Sequence, residues 1–118
     1  MKQPWYEKLL PLSQKQENTY ALPYLMALRT LELGEANDDN LAEIAGHLMI
    51  AVYLPCDPKI IDEGRRAIKR LIGQWQRSVE YDPSDVELVG QAVYEYHNQV
   101  RSINKARLQK AIEKVLKK

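Results

Sequence analysis

The stretch LAEIAGHLMIAVYLP, residues 41–55, restricts the fold of this chain more than any other part of it. Its apolar side chains recur three or four residues apart, the spacing of one helix face, and further apolar residues fill the other sides. A helix that is apolar nearly all round is buried on all sides. We therefore predict a central helix over residues 41–54, wrapped by other helices and ended by Pro55. The residues at helical spacing are Leu41, Ile44, Ala45, Leu48, Met49 and Val52.

The same stretch opens with LAEIAG, a sequence typical of the first helix of DNA-binding helix-turn-helix units. In such a unit a turn follows, here near Gly46, and the second helix presents polar side chains to a DNA groove. However, residues 47–54 continue the apolar pattern, and Met49–Leu54 contains no Arg, Lys, Asn or Gln that would contact a base edge. The pattern favours one continuous core helix.

Proline, glycine and capping residues divide the N-terminal part of the chain. A short helix is predicted from Pro4 to Leu10, and together with a polar linker over residues 13–18 it makes up residues 1–18. The next helix is expected to be capped by Asn18 or Thr19 and to end before Gly34, a residue that suits a helix C-terminus.

Two Asp-Pro pairs open the remaining helices. Asp57-Pro58 and Asp82-Pro83 each place an N-cap before a proline in the first turn, and the first of these helices is predicted to reach Tyr81. No segment alternates with the period of two that a strand requires. The chain is predicted to be all-α: a single domain over residues 1–118, folded as a compact bundle of five to six helices.

Composition agrees with a soluble globular protein. Of the 118 residues, 45% are hydrophobic and 28% are charged, which suits a domain that buries a core. The net charge of +1 creates no general attraction to nucleic acid or to membranes. One cysteine excludes an intrachain disulfide, and neither a secretory signal nor an apolar run of membrane length is found. We expect a cytoplasmic protein with no membrane partner.

The helix that opens at Asp57 carries a basic row. Lys59, Arg66, Arg70 and Arg77 fall almost in a line, opposite the apolar side of this helix. Phosphate-binding surfaces use such rows, because each guanidinium offers forked donors. Acidic residues on the same helix can equally pair with the row and make it a solvated face. The pattern favours the solvated face, with nucleic acid as the alternative.

Glycines inside predicted helices require an explanation, since each destabilises a helix by about 1 kcal/mol relative to alanine. Gly64 lies on the apolar side of its helix, so we expect another helix to approach its backbone closely. Gly90 lies beside a valine seam and is expected to do the same. Gly73 lies on the outward row between Arg70 and Arg77, where a helix bend, a tolerated surface glycine or a bound partner would each account for it.

The last predicted helix carries a seam with coiled-coil spacing. Apolar residues from Val86 to Ile103 alternate in steps of three and four, and the pattern resumes after an offset with Leu108, Ile112 and Val115. The offset indicates either one long helix with a stutter or a break near Ser102–Asn104. A long helix would project and pair with a second chain as a homodimer, whereas a broken helix would fold its end back onto the bundle.

Residues 101–118 are predicted to form a basic amphipathic tail helix, in which Glu113 is the one acidic residue. Such a helix binds nucleic acid, acidic protein or a membrane surface, or it is an ordinary helix C-terminus where basic residues favour the helix dipole. The basic residues are Arg101, Lys105, Arg107, Lys110, Lys114, Lys117 and Lys118.

No pattern for catalysis or cofactor binding is found. Glu43 and His47 share a helix face, but the Glu-x-x-His spacing of di-iron bundles is absent, and we expect His47 to be a hydrogen-bonded core histidine. Cys56 precedes a helix start, which lowers a thiol pKa, yet Asp57 opposes this effect and no base is near in sequence. We expect no catalytic residue, no metal and no cofactor.

The sequence therefore predicts a small non-enzymatic helical protein that acts by protein–protein contact, as an adaptor, inhibitor or regulatory accessory protein. Homodimerisation through the last helix is one form of this contact. The alternative is a nucleic-acid-binding protein that uses the arginine row and the basic tail helix. The residues predicted to bind a partner are Arg66, Arg70, Arg77, Arg101, Lys105, Leu108, Ile112 and Val115.

Overall fold

The computed structural model describes residues 10–117, and within that range the chain forms five α-helices and no strand. They are α1 (Gln14–Glu32), α2 (Asp38–Ala51), α3 (Pro58–Gln76), α4 (Pro83–Ser102) and α5 (Lys105–Leu116). The all-α prediction is confirmed. The short helix predicted from Pro4 lies outside the described residues, except for Leu10, which is in a bend.

The first four helices alternate in direction, so their connections meet in pairs at the two ends of a bundle. The α1–α2 and α3–α4 loops form what we call the upper end, where the Tyr81 hydroxyl donates to the Ala36 carbonyl (2.6 Å). At the lower end, Glu17 near the start of α1 pairs with Arg101 near the end of α4 (3.3 Å). Among residues 10–117, no helix combines the length and the apolar character needed to cross a bilayer.

The predicted central helix is confirmed as α2, which contacts each of the other four helices. Leu41, Ile44 and Leu48 are at most 1% exposed and lie at the centre of the core. The helix continues through Gly46 without a turn, so no helix-turn-helix forms here.

The boundaries and outer face of α2 differ from the prediction. The helix ends at Ala51, and Leu54 is buried in the turn that follows. Met49 and Val52, predicted to be buried, are 42% and 48% exposed, because no other helix within residues 10–117 covers that side of α2.

The start of α1 precedes the predicted one. Ser13 is the N-cap: its hydroxyl accepts from the Gln16 N–H (3.2 Å), and the Gln16 side chain accepts from the Ser13 N–H (3.0 Å). This reciprocal capping box satisfies two backbone donors that a helix start otherwise leaves unpaired. The linker predicted over residues 13–18 is therefore wrong, and those residues form the cap and the first turns of α1.

The end of α3 also differs, because the helix stops at Gln76 and does not reach Tyr81. Ser78 adopts a left-handed φ of 55°, and the N–H groups of Ser78 and Val79 bond back to carbonyls in the last turn of α3 (both 3.0 Å). The end of α1 has the same arrangement with Gly34 at a φ of 77°, which confirms the predicted glycine cap.

The last predicted helix is broken at Ile103. Asn104 caps α5 by accepting from the Arg107 N–H (2.9 Å), and the Lys105 N–H donates to the Leu10 carbonyl (2.9 Å). The second bond ties the joint between α4 and α5 to the segment that enters α1. Of the two alternatives, the break is confirmed, and α5 turns back against the bundle instead of projecting.

The α3–α4 pair explains one of the glycines. A Cβ atom built on Gly64 would lie 2.2 Å from the Ala92 Cβ, so the predicted close approach is confirmed. The same expectation for Gly90 is wrong, because a Cβ there would meet no heavy atom within 4 Å.

Candidate interaction surfaces

Two of the three arginines in the predicted row on α3 are engaged within the chain. Arg66 pairs with Asp62 one turn away on α3 (3.0 Å), as expected for a solvated face. Arg70 binds Asp85 on α4 through Nε and a terminal guanidinium nitrogen (both 2.9 Å), and Gln74 donates to the other carboxylate oxygen (3.1 Å). Because the Asp85 side chain is buried, Arg70 acts as a structural clamp between two helices.

Arg77, the third arginine of the row, is exposed at the C-terminal cap of α3. One of its terminal nitrogens lies 3.6 Å from the position that a Cβ on Gly73 would occupy. The arginine side chain thus packs over the outward glycine.

The seam of the last helix is covered by the protein's own bundle. Leu108 is 4% exposed, while Ile112 and Val115 are half-buried and pack against the core. Leu108 is therefore not accessible to a partner, which corrects its assignment as a contact residue. The reason is the break at Ile103, which turns the seam inward.

The predicted basic residues at this joint differ in their roles. Arg101 pairs with Glu17 of α1 and so links α1 to α4. Lys105 is half-buried and lines a cleft of about 750 Å³ between α1 and α5, together with Leu12, Tyr20 and Ile112. The structure thus brings Lys105, Leu108 and Ile112 together along one cleft, which Val115 does not line, and places the arginine row elsewhere.

A polar cluster inside the bundle was not predicted. Tyr96 of α4 is fully buried, and its hydroxyl is hydrogen-bonded to the Tyr20 hydroxyl and to His47 Nδ1 (2.9 Å to the histidine). Tyr24 is hydrogen-bonded to His97 Nδ1 (2.7 Å). Contacting rings among Tyr20, Tyr24, His47 and Tyr96 have their centroids 4.6–6.0 Å apart. Most of these pairs are edge to face, the geometry that aromatic rings prefer.

The electrostatics of this cluster favour neutral side chains. Burial lowers the pKa of His47, although the Glu43 carboxylate, hydrogen-bonded to Nε2 (3.2 Å), acts in the opposite direction. Burial likewise lowers the pKa of His97 and raises the pKa values of Tyr24 and Tyr96. No buried side-chain polar atom among residues 10–117 lacks a hydrogen-bond partner. The cluster is thus a satisfied core network, and His47 is the hydrogen-bonded core histidine that was predicted.

The remaining candidates for chemistry are weak in the described part of the chain. Cys56 is buried, and burial, reinforced by the charge of Glu95, raises the pKa of its thiol to about 12, opposite to what a nucleophile requires. His47 uses both ring nitrogens in hydrogen bonds, and no group of three or more metal-binding side chains occurs within residues 10–117.

The upper end has a cleft of about 830 Å³ between the α1–α2 and α3–α4 loops. Trp75 and Val79 line it and remain 39% and 50% exposed, and Tyr81 forms part of its wall. The exposed carboxylates of Glu32 and Glu80 also line it, whereas no basic residue of the described part of the chain does. We call this site the upper cleft; its exposed tryptophan and its two carboxylates suit an apolar group that carries positive charge.

Charge is distributed unequally between the two ends of the molecule. Residues 32–39 and 77–82, at the upper end, carry six carboxylates and one arginine. Residues 101–117, at the lower end, carry six basic side chains and one glutamate. The sequence contained the signal for the acidic end, because the first and third connections of an alternating bundle lie at the same end and both are rich in acid.

A second exposed apolar surface lies on α1, on the side opposite the core. Leu22, Met26 and Leu33 are each more than half exposed there. Their spacing places them on one stripe of the helix.

Comparison of the chain with protein-family models, with curated proteins and with solved structures finds no match. The surfaces themselves therefore carry the functional argument.

Proposed function

We propose that this chain is a small non-enzymatic binding protein that acts by protein–protein contact, and that the upper cleft receives a basic segment with an apolar anchor. The observation that carries the proposal is the exposure of Trp75 and Val79 in a cleft that the carboxylates of Glu32 and Glu80 also line. A tryptophan that lines a concave site is a common anchor of protein interfaces.

Charge supports this choice of partner. An acidic edge attracts a basic segment and repels an acidic one, so it contributes both to the association rate and to specificity. The size of the cleft also suits one helix turn or a few side chains rather than a flat, extended interface.

The proposal is tested by the fluorescence of Trp75. The sequence has two tryptophans, so a Trp5→Phe background leaves Trp75 as the reporter. Two synthetic helical peptides of equal length serve as probes: one has leucine flanked by lysines, and in the other glutamates replace the lysines. We expect a saturable emission shift with the lysine peptide that weakens as salt is added, and no shift with the glutamate peptide.

Variants locate the contact. Glu32→Lys with Glu80→Lys should abolish the shift, whereas Met26→Glu, which changes an exposed residue of the α1 stripe, should leave it intact. Equal responses to the two peptides, or no saturable response to the lysine peptide, would rule out the proposed cleft function.

A second candidate function, nucleic-acid binding, is favoured by one observation. Arg107, Lys110, Lys114 and Lys117 are all exposed and fall on one side of α5. If these four side chains contact phosphates, the logarithm of the binding constant should fall with the logarithm of salt concentration with a slope of about −3 to −4. Lys110→Gln should reduce that slope by about one. An absence of DNA or RNA binding at low salt excludes this candidate.

A further inference from the structure

The upper cleft requires a basic partner with an apolar anchor, and the lower end of the same molecule offers one. We propose that the partner is a second copy of this chain, and that the end of its α5 docks in the upper cleft. The inference rests on the proposed function and names its partner. Its first support is charge complementarity between the six carboxylates at one end and the six basic residues at the other.

The apolar parts also correspond. Leu116 is 78% exposed, the most exposed large apolar side chain among residues 10–117, and it adjoins Lys117 and follows Lys114 by two residues. The upper cleft is lined by the apolar side chains of Trp75 and Val79, by Glu32 of α1 and by Glu80 of the α3–α4 loop. One leucine with lysines beside it therefore matches this lining in both polarity and charge.

A single molecule cannot make this contact with itself. The 20 residues of α4 separate the upper end from the joint that leads to α5, a distance of about 30 Å at 1.5 Å per residue. The hydrogen bond between Lys105 and Leu10 holds the start of α5 at the lower end. The contact must therefore join different copies.

The contact is also heterologous, since each copy contributes a different surface. A first pair leaves one upper cleft and one α5 end unoccupied, and further copies can add to either. Association should therefore grow with protein concentration and weaken with salt, because the attraction includes many opposite charges.

Sedimentation velocity and light scattering of the full chain test this proposal at low and high salt. The wild-type average mass should rise with concentration at low salt and fall when salt is added. Leu116→Glu alone, and Glu32→Lys with Glu80→Lys, should each remain a single copy. Met26→Glu, which adds the same charge to an exposed apolar position elsewhere, should associate like the wild type.

Mixing the two deficient proteins gives the sharpest result. The Leu116→Glu protein keeps its cleft and the Glu32→Lys/Glu80→Lys protein keeps its α5 end, so an equimolar mixture should form complexes of two copies. Wild-type protein that stays a single copy at about 1 mM, where even contacts with a millimolar Kd form to a measurable extent, would overturn the proposal. A dimer that persists in both deficient proteins would overturn it as well, because the interface would then lie elsewhere.

These outcomes separate the two proposals. If the wild type does not self-associate but the lysine peptide still shifts the Trp75 emission, only the second-copy proposal fails. If the peptide also has no effect, the proposed function of the cleft fails with it.

Discussion

Gly64 on α3 lies so close to Ala92 on α4 that a Cβ atom at residue 64 would stand 2.2 Å from the Ala92 Cβ. The Leu88 carbonyl oxygen would lie 3.4 Å from the same position. Because the nearest atom belongs to a short side chain fixed to a helix backbone, the neighbour cannot rotate away. This contact sets how closely the two helices approach.

Gly64→Ala should therefore destabilise the protein by about 1–3 kcal/mol, the usual cost of overpacking a core, despite the better helix propensity of alanine. Urea unfolding measures the change. Ala92→Gly in the same chain should recover part of the loss, since it removes the clashing methyl group. Gly46→Ala is the matched control: it has no neighbour within 4 Å and should gain up to about 1 kcal/mol. An unchanged melting temperature for Gly64→Ala would show that the helices separate easily.

The ends of α1 and α3 share one capping motif, so exchanging glycine and serine at the two ends should have opposite effects on stability. Ser78 is strained by its left-handed φ of 55°, whereas Gly34 adopts a left-handed φ of 77° in the same motif without strain. Ser78→Gly should stabilise the protein by about 1 kcal/mol, and Gly34→Ser should destabilise it by about as much. Thermal unfolding of the two variants checks this pair, and a loss of stability in Ser78→Gly would contradict it.

Replacing Arg70 by glutamine should reduce the free energy of unfolding much more than replacing Arg66 by glutamine. Asp85 is 6% exposed, so Arg70→Gln leaves a buried carboxylate short of donors and should cost about 1–3 kcal/mol. Arg66 forms an exposed pair within one helix, and Arg66→Gln should change stability by less than about 0.5 kcal/mol. Denaturant unfolding of both proteins under identical conditions makes the comparison, and equal effects would refute the clamp.

The buried histidines make stability depend on pH. Burial lowers the pKa values of His47 and His97 in the folded protein below the 6.5 of an exposed histidine, so the unfolded chain binds protons more readily. Folded stability should therefore be highest above pH 6.5 and should fall as the pH decreases from there through the folded pKa values. Unfolding free energies measured between about pH 5 and 8 should show this slope.

The slope should become smaller in His47→Gln, whatever that substitution does to the stability at pH 8. Comparing slopes rather than stabilities separates titration from lost packing. A His47→Gln protein with the full wild-type slope would show that His47 does not contribute to the pH dependence.

Local signals explain why much of the fold could be predicted from the sequence. The apolar period of α2, the Asp-Pro starts of α3 and α4, and the glycine at the end of α1 each act within a few residues. The start of α1 was missed, although its signal was local: Ser13 and Gln16 form a capping box inside a stretch interpreted as a polar linker. The end of α3 could not be read, because serine rarely takes a left-handed φ.

Which side chains are free at the surface could not be predicted, because it depends on contacts between residues distant in sequence. The Arg70–Asp85 pair joins two helices, whereas the sequence predicted that Arg70 would pair with acidic residues on its own helix. Tyr20 and Tyr96 meet only because α1 packs against α4. Which residues of the C-terminal segment are exposed to a partner depends on whether the last helix breaks. The sequence left both possibilities open.

The hydrogen bond from the Lys105 N–H to the Leu10 carbonyl provides a probe of whether α5 is docked on the bundle. It fastens together segments near opposite ends of the described chain, outside the regular ladders of α1 and α4. Deuterium uptake at this single amide therefore reports undocking of α5, well before the amides of α2 exchange. A ligand that grips α5 should slow that uptake while leaving the core amides unaffected.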